Sequence, residues 1–189
     1  MAAKLILLCG PSGSGKKTIW SGIINKPKYN AIFSVSMTTR KARKGEKHGD
    51  DYFFVTKKRF ETAIKKKQFL EHATYIDNYY GTPKAFVIDN LKKNKNVFLE
   101  IEMNGALQIM KNFSNKKKMF SIFICPPSIT ELRKRLMKRH TENKEVIDKR
   151  IKQAKWEISK KKMFDYVIIN KDVKVSRKQL REILDKELD

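Results

Sequence analysis

Lys4-Leu5-Ile6-Leu7-Leu8-Cys9-Gly10-Pro11-Ser12-Gly13-Ser14-Gly15-Lys16-Lys17-Thr18 begins as an apolar run and passes directly into a glycine-rich turn. Gly10, Gly15 and Lys16 satisfy the spacing G-x-x-x-x-G-K, in which the chain curls so that successive N–H groups face an oxyanion. An apolar strand before the turn and helix-compatible residues after it (Ile19, Trp20, Ile23, Ile24) supply the strand–loop–helix context that separates this motif from an ordinary tight turn. The segment predicts a nucleoside triphosphate site. Its loop residues Gly10, Pro11, Ser12, Gly13, Ser14 and Gly15 wrap the phosphates, and the Lys16 ammonium reaches the β- and γ-phosphates. Lys17 stands where the motif places Ser or Thr, the usual hydroxyl ligand of magnesium, and Thr18 follows one residue late.

Working outward, apolar runs alternate with helical patterns. Leu5–Cys9, Ile32–Val35, Tyr52–Val55, Val97–Ile101, Met119–Cys125 and Tyr166–Ile169 read as strands. Segments near 16–25, 57–68, 84–94, 104–112, 128–139, 143–161 and 175–187 read as helices, and Pro126-Pro127-Ser128 marks a strand end followed by an N-cap. This alternation predicts an α/β fold with a parallel sheet flanked by helices. The stretch from about 36 to 85 departs from the rhythm, with short polar and aromatic strands, and reads as an insertion beside the main sheet.

The chain has 189 residues, enough for one α/β domain with a real core. No run of about 18 apolar residues predicts a membrane span. The first apolar run leads into the phosphate loop rather than a cleavage site. Cys9 and Cys125 each end an apolar run and read as core residues of a cytoplasmic protein without a disulfide framework. The formal net charge of +23 raises nucleic acid as a partner, but the basic residues are scattered over helix faces and turns (Lys65 to Lys67, Lys116 to Lys118, Lys160 to Lys162). A solvated basic surface without a specific nucleic-acid partner is therefore the expectation.

From residue 33 onward a family resemblance becomes specific. Phe33-Ser34-Val35-Ser36-Met37-Thr38-Thr39-Arg40-Lys41-Ala42-Arg43-Lys44-Gly45-Glu46, Gly49-Asp50-Asp51-Tyr52-Phe53-Phe54-Val55, Phe69-Leu70-Glu71-His72-Ala73 and Asn78-Tyr79-Tyr80-Gly81-Thr82-Pro83 resemble the guanylate kinase signature. So do Leu99-Glu100-Ile101-Glu102-Met103-Asn104-Gly105, Ile124-Cys125-Pro126-Pro127-Ser128 and Arg135-Leu136-Met137-Lys138-Arg139-His140-Thr141, in the family's order over nearly the whole chain. The resemblance implies a three-layer P-loop fold of a nucleoside monophosphate kinase, with a core of about 1–35 and 85–189, an inserted GMP-binding subdomain of about 36–84 and a helical lid of about 133–155. It also implies transfer of the γ-phosphate of ATP to GMP, with magnesium as cofactor, in purine nucleotide metabolism. GMP against dGMP, and monomer against homodimer, stay open.

The resemblance also assigns residues. Glu71 reads guanine, because one carboxylate can accept both N1–H and the N2 amino group, whereas adenine would turn a lone pair toward it. Ser36 and Thr82 are hydroxyls near the base, Gly81 lies beside them, and His72 is expected to pack next to Glu71. Arg40, Arg43, Glu46, Tyr52 and Tyr80 belong to the GMP-phosphate side, where arginine forks match phosphate oxygens. Glu100 and Glu102 alternate at a strand end that approaches GMP and the metal with its waters; a structural carboxylate bound by backbone donors is a serious rival reading for Glu102 and a weaker one for Glu100. Arg135, Arg139 and Arg150 are lid arginines that reach the triphosphate, and Asn170 falls in the adenine-side loop. Lys16, Arg43 and the lid arginines carry catalysis. Lys17 is expected to point away from the metal or rest on a phosphate, leaving magnesium to phosphates and water, with Thr18, Glu100 and Glu102 as the nearest protein groups. An inactive interaction module of the same fold, and a basic RNA-binding protein, are the alternative functions.

Overall fold

The computed structural model describes residues 2–75, 77–138 and 144–188. Strand β1 (Leu5–Cys9) lies at the centre of a five-stranded sheet, between β7 (Asn96–Glu100) and β8 (Met119–Cys125), with β2 (Ala31–Phe33) and β9 (Tyr166–Ile169) at the edges. All pairings in this sheet are parallel. Every residue of β1 is buried, which is why the run is continuously apolar rather than alternating. Leu5, Leu7 and Cys9 face a cluster with Val87 of α3 (Lys84–Lys92) and Met103, Ala106 and Ile109 of α4 (Met103–Asn112). Ile6 and Leu8 face the opposite cluster, with Ile19 of α1 (Lys16–Trp20) and Leu180 and Leu184 of α7 (Val173–Leu188). Each such side chain contributes about 2 kcal/mol of burial. The result is three layers: helices, parallel sheet, helices.

A second, four-stranded sheet has the order β4-β3-β6-β5, built from β3 (Met37–Thr38), β4 (Phe53–Phe54), β5 (Phe69–Tyr75) and β6 (Asn78–Pro83). β5 and β6 are antiparallel, a pairing absent from the strands predicted by apolar runs, because both strands carry polar and aromatic residues. Helix α2 (Lys57–Lys65) follows the N-cap Thr56, whose hydroxyl accepts the Arg59 N–H at 3.3 Å, and it buries Phe60 against Phe69 with ring centroids 4.5 Å apart. Helix α5 (Ile129–Met137) starts at Ser128, whose Oγ accepts from Glu131 N at 3.1 Å, and packs on α6 (Lys144–Ser159) through Leu132, Leu136, Ile147, Ile151 and Ala154.

Several predicted elements shorten, two of them by half. The helix expected over 16–25 stops at Trp20, because Gly22 adopts φ +74° and the chain continues in turns. The strand expected over Tyr52–Val55 reduces to β4, since His48 and Tyr52 form only an isolated bridge. Arg139 and His140 lie outside the described residues.

Gly10, at φ +146°, passes so close to β8 that a Cβ there would collide with the Ile124 carbonyl oxygen. Gly22 is left-handed with open space around it. Gly10→Ala should therefore destabilise the fold by about 3 kcal/mol, combining backbone strain with overpacking, whereas Gly22→Ala should cost only about 1 kcal/mol. Urea midpoints at unchanged m-values check the difference.

Candidate active site

The phosphate loop occupies the end of β1 and is braced from behind. Asn170, just beyond β9, donates from Nδ2 to the Ser14 carbonyl at 2.7 Å and accepts the Ser176 hydroxyl on Oδ1 at 3.1 Å. Its own N–H reaches the Cys125 carbonyl at 2.8 Å. Asn170 is thus buried behind the loop and holds its curvature. Gly15 is the left-handed N-cap of α1 and supplies no capping side chain, so the N–H groups of the first turn stay available to an anion. The Lys16 ammonium donates to the Gly10 carbonyl at 2.7 Å and the Pro11 carbonyl at 3.3 Å, with Glu100 Oε1 at 3.9 Å.

One cavity of about 870 Å³ runs from this loop to the second sheet. Gly10, Ser12, Gly13, Gly15, Lys16, Lys17 and Thr18 line one end; Ser36, Arg40, Arg43, Glu46, Tyr52, Glu71, Tyr80 and Gly81 line the other. Pro11 and Ser14 are buried members of the loop outside that lining.

At the far end Glu71 is only 6% exposed. Thr82, in register with it across the β5–β6 pair, donates its hydroxyl to Glu71 Oε1 at 2.6 Å. Thr82 is itself fully buried and lies behind the carboxylate, not in the cavity. The Thr82 hydroxyl is engaged by Glu71, the carboxylate beside which the sequence placed it. The opposite face of Glu71 abuts α4 so closely that a Cβ on Gly105 would collide with the carboxylate. Burial pushes the Glu71 carboxyl up to about 7, against the Thr82 hydrogen bond, and the charge of Glu102 adds to the rise. His72 does not pack beside it. Successive strand residues point to opposite faces, and His72 is exposed on the other side.

The cationic group next to this pocket is internally braced. Arg40 donates to Glu46 Oε1 at 2.9 Å and lies 5.5 Å from the Tyr52 ring centroid, while the Arg43 N–H donates to Glu46 Oε2 at 2.7 Å. Burial opposes ionisation of Glu46, but these two donors outweigh it and its carboxyl titrates below the ordinary range. Tyr52 and Tyr80 meet edge to face with centroids 6.0 Å apart. Burial and the nearby Glu100 charge raise the Tyr52 hydroxyl, keeping it a neutral donor.

Between the two ends stand three carboxylates. Glu100, at the end of β7, accepts the Trp20 indole N–H at 2.6 Å; Trp20 stacks on Phe33 at 4.8 Å. Glu102 is the N-cap of α4 and accepts from Asn104 N at 2.9 Å and Gly105 N at 2.5 Å. Each of its oxygens thus accepts one N–H of the helix start, the backbone-bound role weighed for it in the sequence. Glu157 on α6 is the third: buried, facing the cavity, with its carboxyl pushed up to about 7 by burial while Lys16 pulls it down.

Sequence reasoning missed Glu157, although a signal was present. Ile147, Arg150, Ile151, Ala154 and Glu157 recur at helical spacing on the buried face of α6, and two charges on such a stripe need partners. Arg150 donates to Ser12 Oγ at 2.8 Å and lines the cavity. Arg135 does not reach the cavity. It donates from Nε to Glu131 at 2.9 Å and from Nη2 to the Asn170 carbonyl at 3.2 Å. An i,i+4 carboxylate on the same helix face captures it. Trp20 and Asp51 were also missed. Lys17 turns its ammonium across the cleft to the Asp51 carboxylate.

The guanylate kinase family model matches residues 2–187. A guanylate kinase of Malacoplasma penetrans (strain HF-2) is 47% identical over 181 residues, covering 96% of this chain and 92% of that protein. The crystal structure of guanylate kinase from Anaplasma phagocytophilum superposes with a TM-score of 0.79 at 34% identity, covering 99% of this chain and 87% of that one. Matched from end to end, with the loop, the buried carboxylate and the cationic group in one cleft, the chain belongs to the guanylate kinase family.

Proposed function

We propose that this cavity transfers the γ-phosphate of ATP to GMP, with ATP on the loop of residues 10–18 and GMP at the second sheet. The observation that carries the reading is the opposition, within one cavity, of a phosphate loop and a buried carboxylate. In this reading Glu71 accepts N1–H and the N2 amino group of guanine, held in orientation by Thr82 with Ser36 alongside. Arg40, Arg43, Tyr52 and Tyr80 take the GMP phosphate.

A GMP phosphate oxygen, already ionised near neutral pH, attacks the γ-phosphorus in line as the bond to the β,γ-bridging oxygen breaks, and that oxygen leaves on ADP. No general base is needed. Alignment and positive charge carry the rate: Lys16, Arg43 and Arg150 converge on the transferring group, and existing partners hold the Lys16 and Arg150 side chains in place before substrate arrives. Arg135 is a cation on the adenine side in this arrangement.

Magnesium with ATP fits the donors present. The ion favours one or two carboxylates together with phosphate and water oxygens, and Glu100 presents a cavity-facing carboxylate near the loop, with the Thr18 hydroxyl also lining it. When bound, it neutralises phosphate charge. Glu102, committed to α4, is left out of this set.

ADP release, measured with ATP, magnesium and each nucleoside monophosphate in turn, should show turnover with GMP and little with AMP. No turnover with GMP, or equal turnover with AMP, would sink the reading. Lys16→Ala should lower kcat by about 100-fold or more.

Glu71→Gln should raise the KM for GMP about 10- to 100-fold, because the amide replaces one acceptor oxygen with an NH2 donor that confronts a guanine donor. The pH response has a definite sign. Only the ionised carboxylate accepts both guanine donors, and its pKa is raised to about 7. GMP affinity of the native protein should therefore climb as pH rises through 7 and level off above it, falling about tenfold per unit below. Glu71→Gln should keep only the shallower dependence due to the phosphate of GMP itself, as titration calorimetry at several pH values would show.

A further inference from the structure

Lys17 and Asp51 belong to different parts of the fold. Lys17 lies in the first turn of α1, on the five-stranded body, and Asp51 lies in the turn between β3 and β4 of the second sheet. Their side chains form a direct ion pair across the cleft. The two ends of that pair are unequal. Asp51 is 18% exposed and is fixed by its own turn: its Oδ2 accepts the Lys47 N–H at 2.9 Å, and its N–H reaches the Lys47 carbonyl at 3.0 Å. Lys17 is 69% exposed, yet it reaches across to that carboxylate, with the charges of Glu100 and Glu46 adding attraction.

Asp51 immediately precedes Tyr52, whose ring contacts both Arg40 and Tyr80. A tether on Asp51 is therefore a tether on the group that takes the acceptor phosphate. It also removes the Lys17 ammonium from the loop, where the motif otherwise places a small hydroxyl. We propose that Lys17 and Asp51 are a positioning pair, which anchors the turn of residues 47–52 to the triphosphate loop and so strengthens GMP binding. This rests on the placement of GMP argued above.

The test is a double-mutant cycle on the full chain, titrating GMP calorimetrically without ATP or metal. Asp51→Asn keeps an oxygen for the Lys47 N–H, and Lys17→Met keeps the aliphatic stem, so thermal unfolding should stay near native. Each single change should weaken GMP binding about three- to fivefold, the size expected of a partly exposed pair. The double variant should be no weaker than either single one. The exchanged pair, Lys17→Asp with Asp51→Lys, should recover at least half of the loss. In about 0.5 M KCl the native protein should converge on the variants, because exposed charges are screened there. Unchanged or tighter binding in the single variants, or losses that add in the double variant, would overturn the proposal. Glu71→Gln in the same titration separates the two readings. If it weakens GMP and the cycle shows no coupling, only the role of the pair falls; if it leaves GMP affinity untouched, the placement of GMP falls and the pair's role with it.

Discussion

Parallel pairing of β1 with both β7 and β8 brings the carboxyl ends of the strands to one edge of one sheet. Everything else in the cleft follows from that register. The phosphate loop leaves the end of β1, Glu100 ends β7, Asn170 follows β9, and Ser36 follows β2 two residues before Thr38. Open parallel sheets place their ligand crevices at this edge, and here the loop must also clear its neighbour, which fixes Gly10 against Ile124. The second sheet then needs only to bring one carboxylate and a few cations over the same edge.

The site is a set of opposite charges held a few ångströms apart, inside a chain whose net charge is +23. Arg40 leans on Glu46, Lys16 on Glu100 and the loop carbonyls, Arg150 on Ser12, and Lys17 on Asp51. Such bracing matters for a reaction governed by charge, because cations that are already oriented need not reorganise as charge develops on the transferring group. The basic surface plays a different part. Its field draws anionic nucleotides toward the protein from a distance, an effect that salt removes, while the braced cleft discriminates among them at contact.

What was legible in the sequence divides along a physical line. The phosphate loop, the parallel sheet and most helices depend on local spacing, and their signals survive in a single chain: the buried run Leu5–Cys9, and the Pro-Pro-Ser punctuation before α5. The β5–β6 pairing was harder to read because its strands present Glu71 and Thr82 inward, so polarity masks the alternation. The resemblance to a family located Glu71, but not what holds it. Thr82 sits behind the carboxylate rather than in the cavity, and Gly105 makes room for it from α4, contacts that only the tertiary packing reveals. Arg135 is opposite in kind: its partner, Glu131, was visible four residues away on the same helix.

Glu102 and Glu157 show why residue type alone cannot assign a role. Both are carboxylates lining the same cavity, and burial raises both. Yet Glu102 spends its two oxygens on the N-terminus of α4, where a capping acceptor contributes about 1 kcal/mol. Glu157 accepts from the Gln153 amide at 3.3 Å and feels the attraction of Lys16. The first carboxylate is therefore fixed whatever occupies the cleft, and the charge on the second depends on where Lys16 stands. The helix that carries Arg150 to the loop thus carries, seven residues on, a carboxylate whose charge answers to the same lysine.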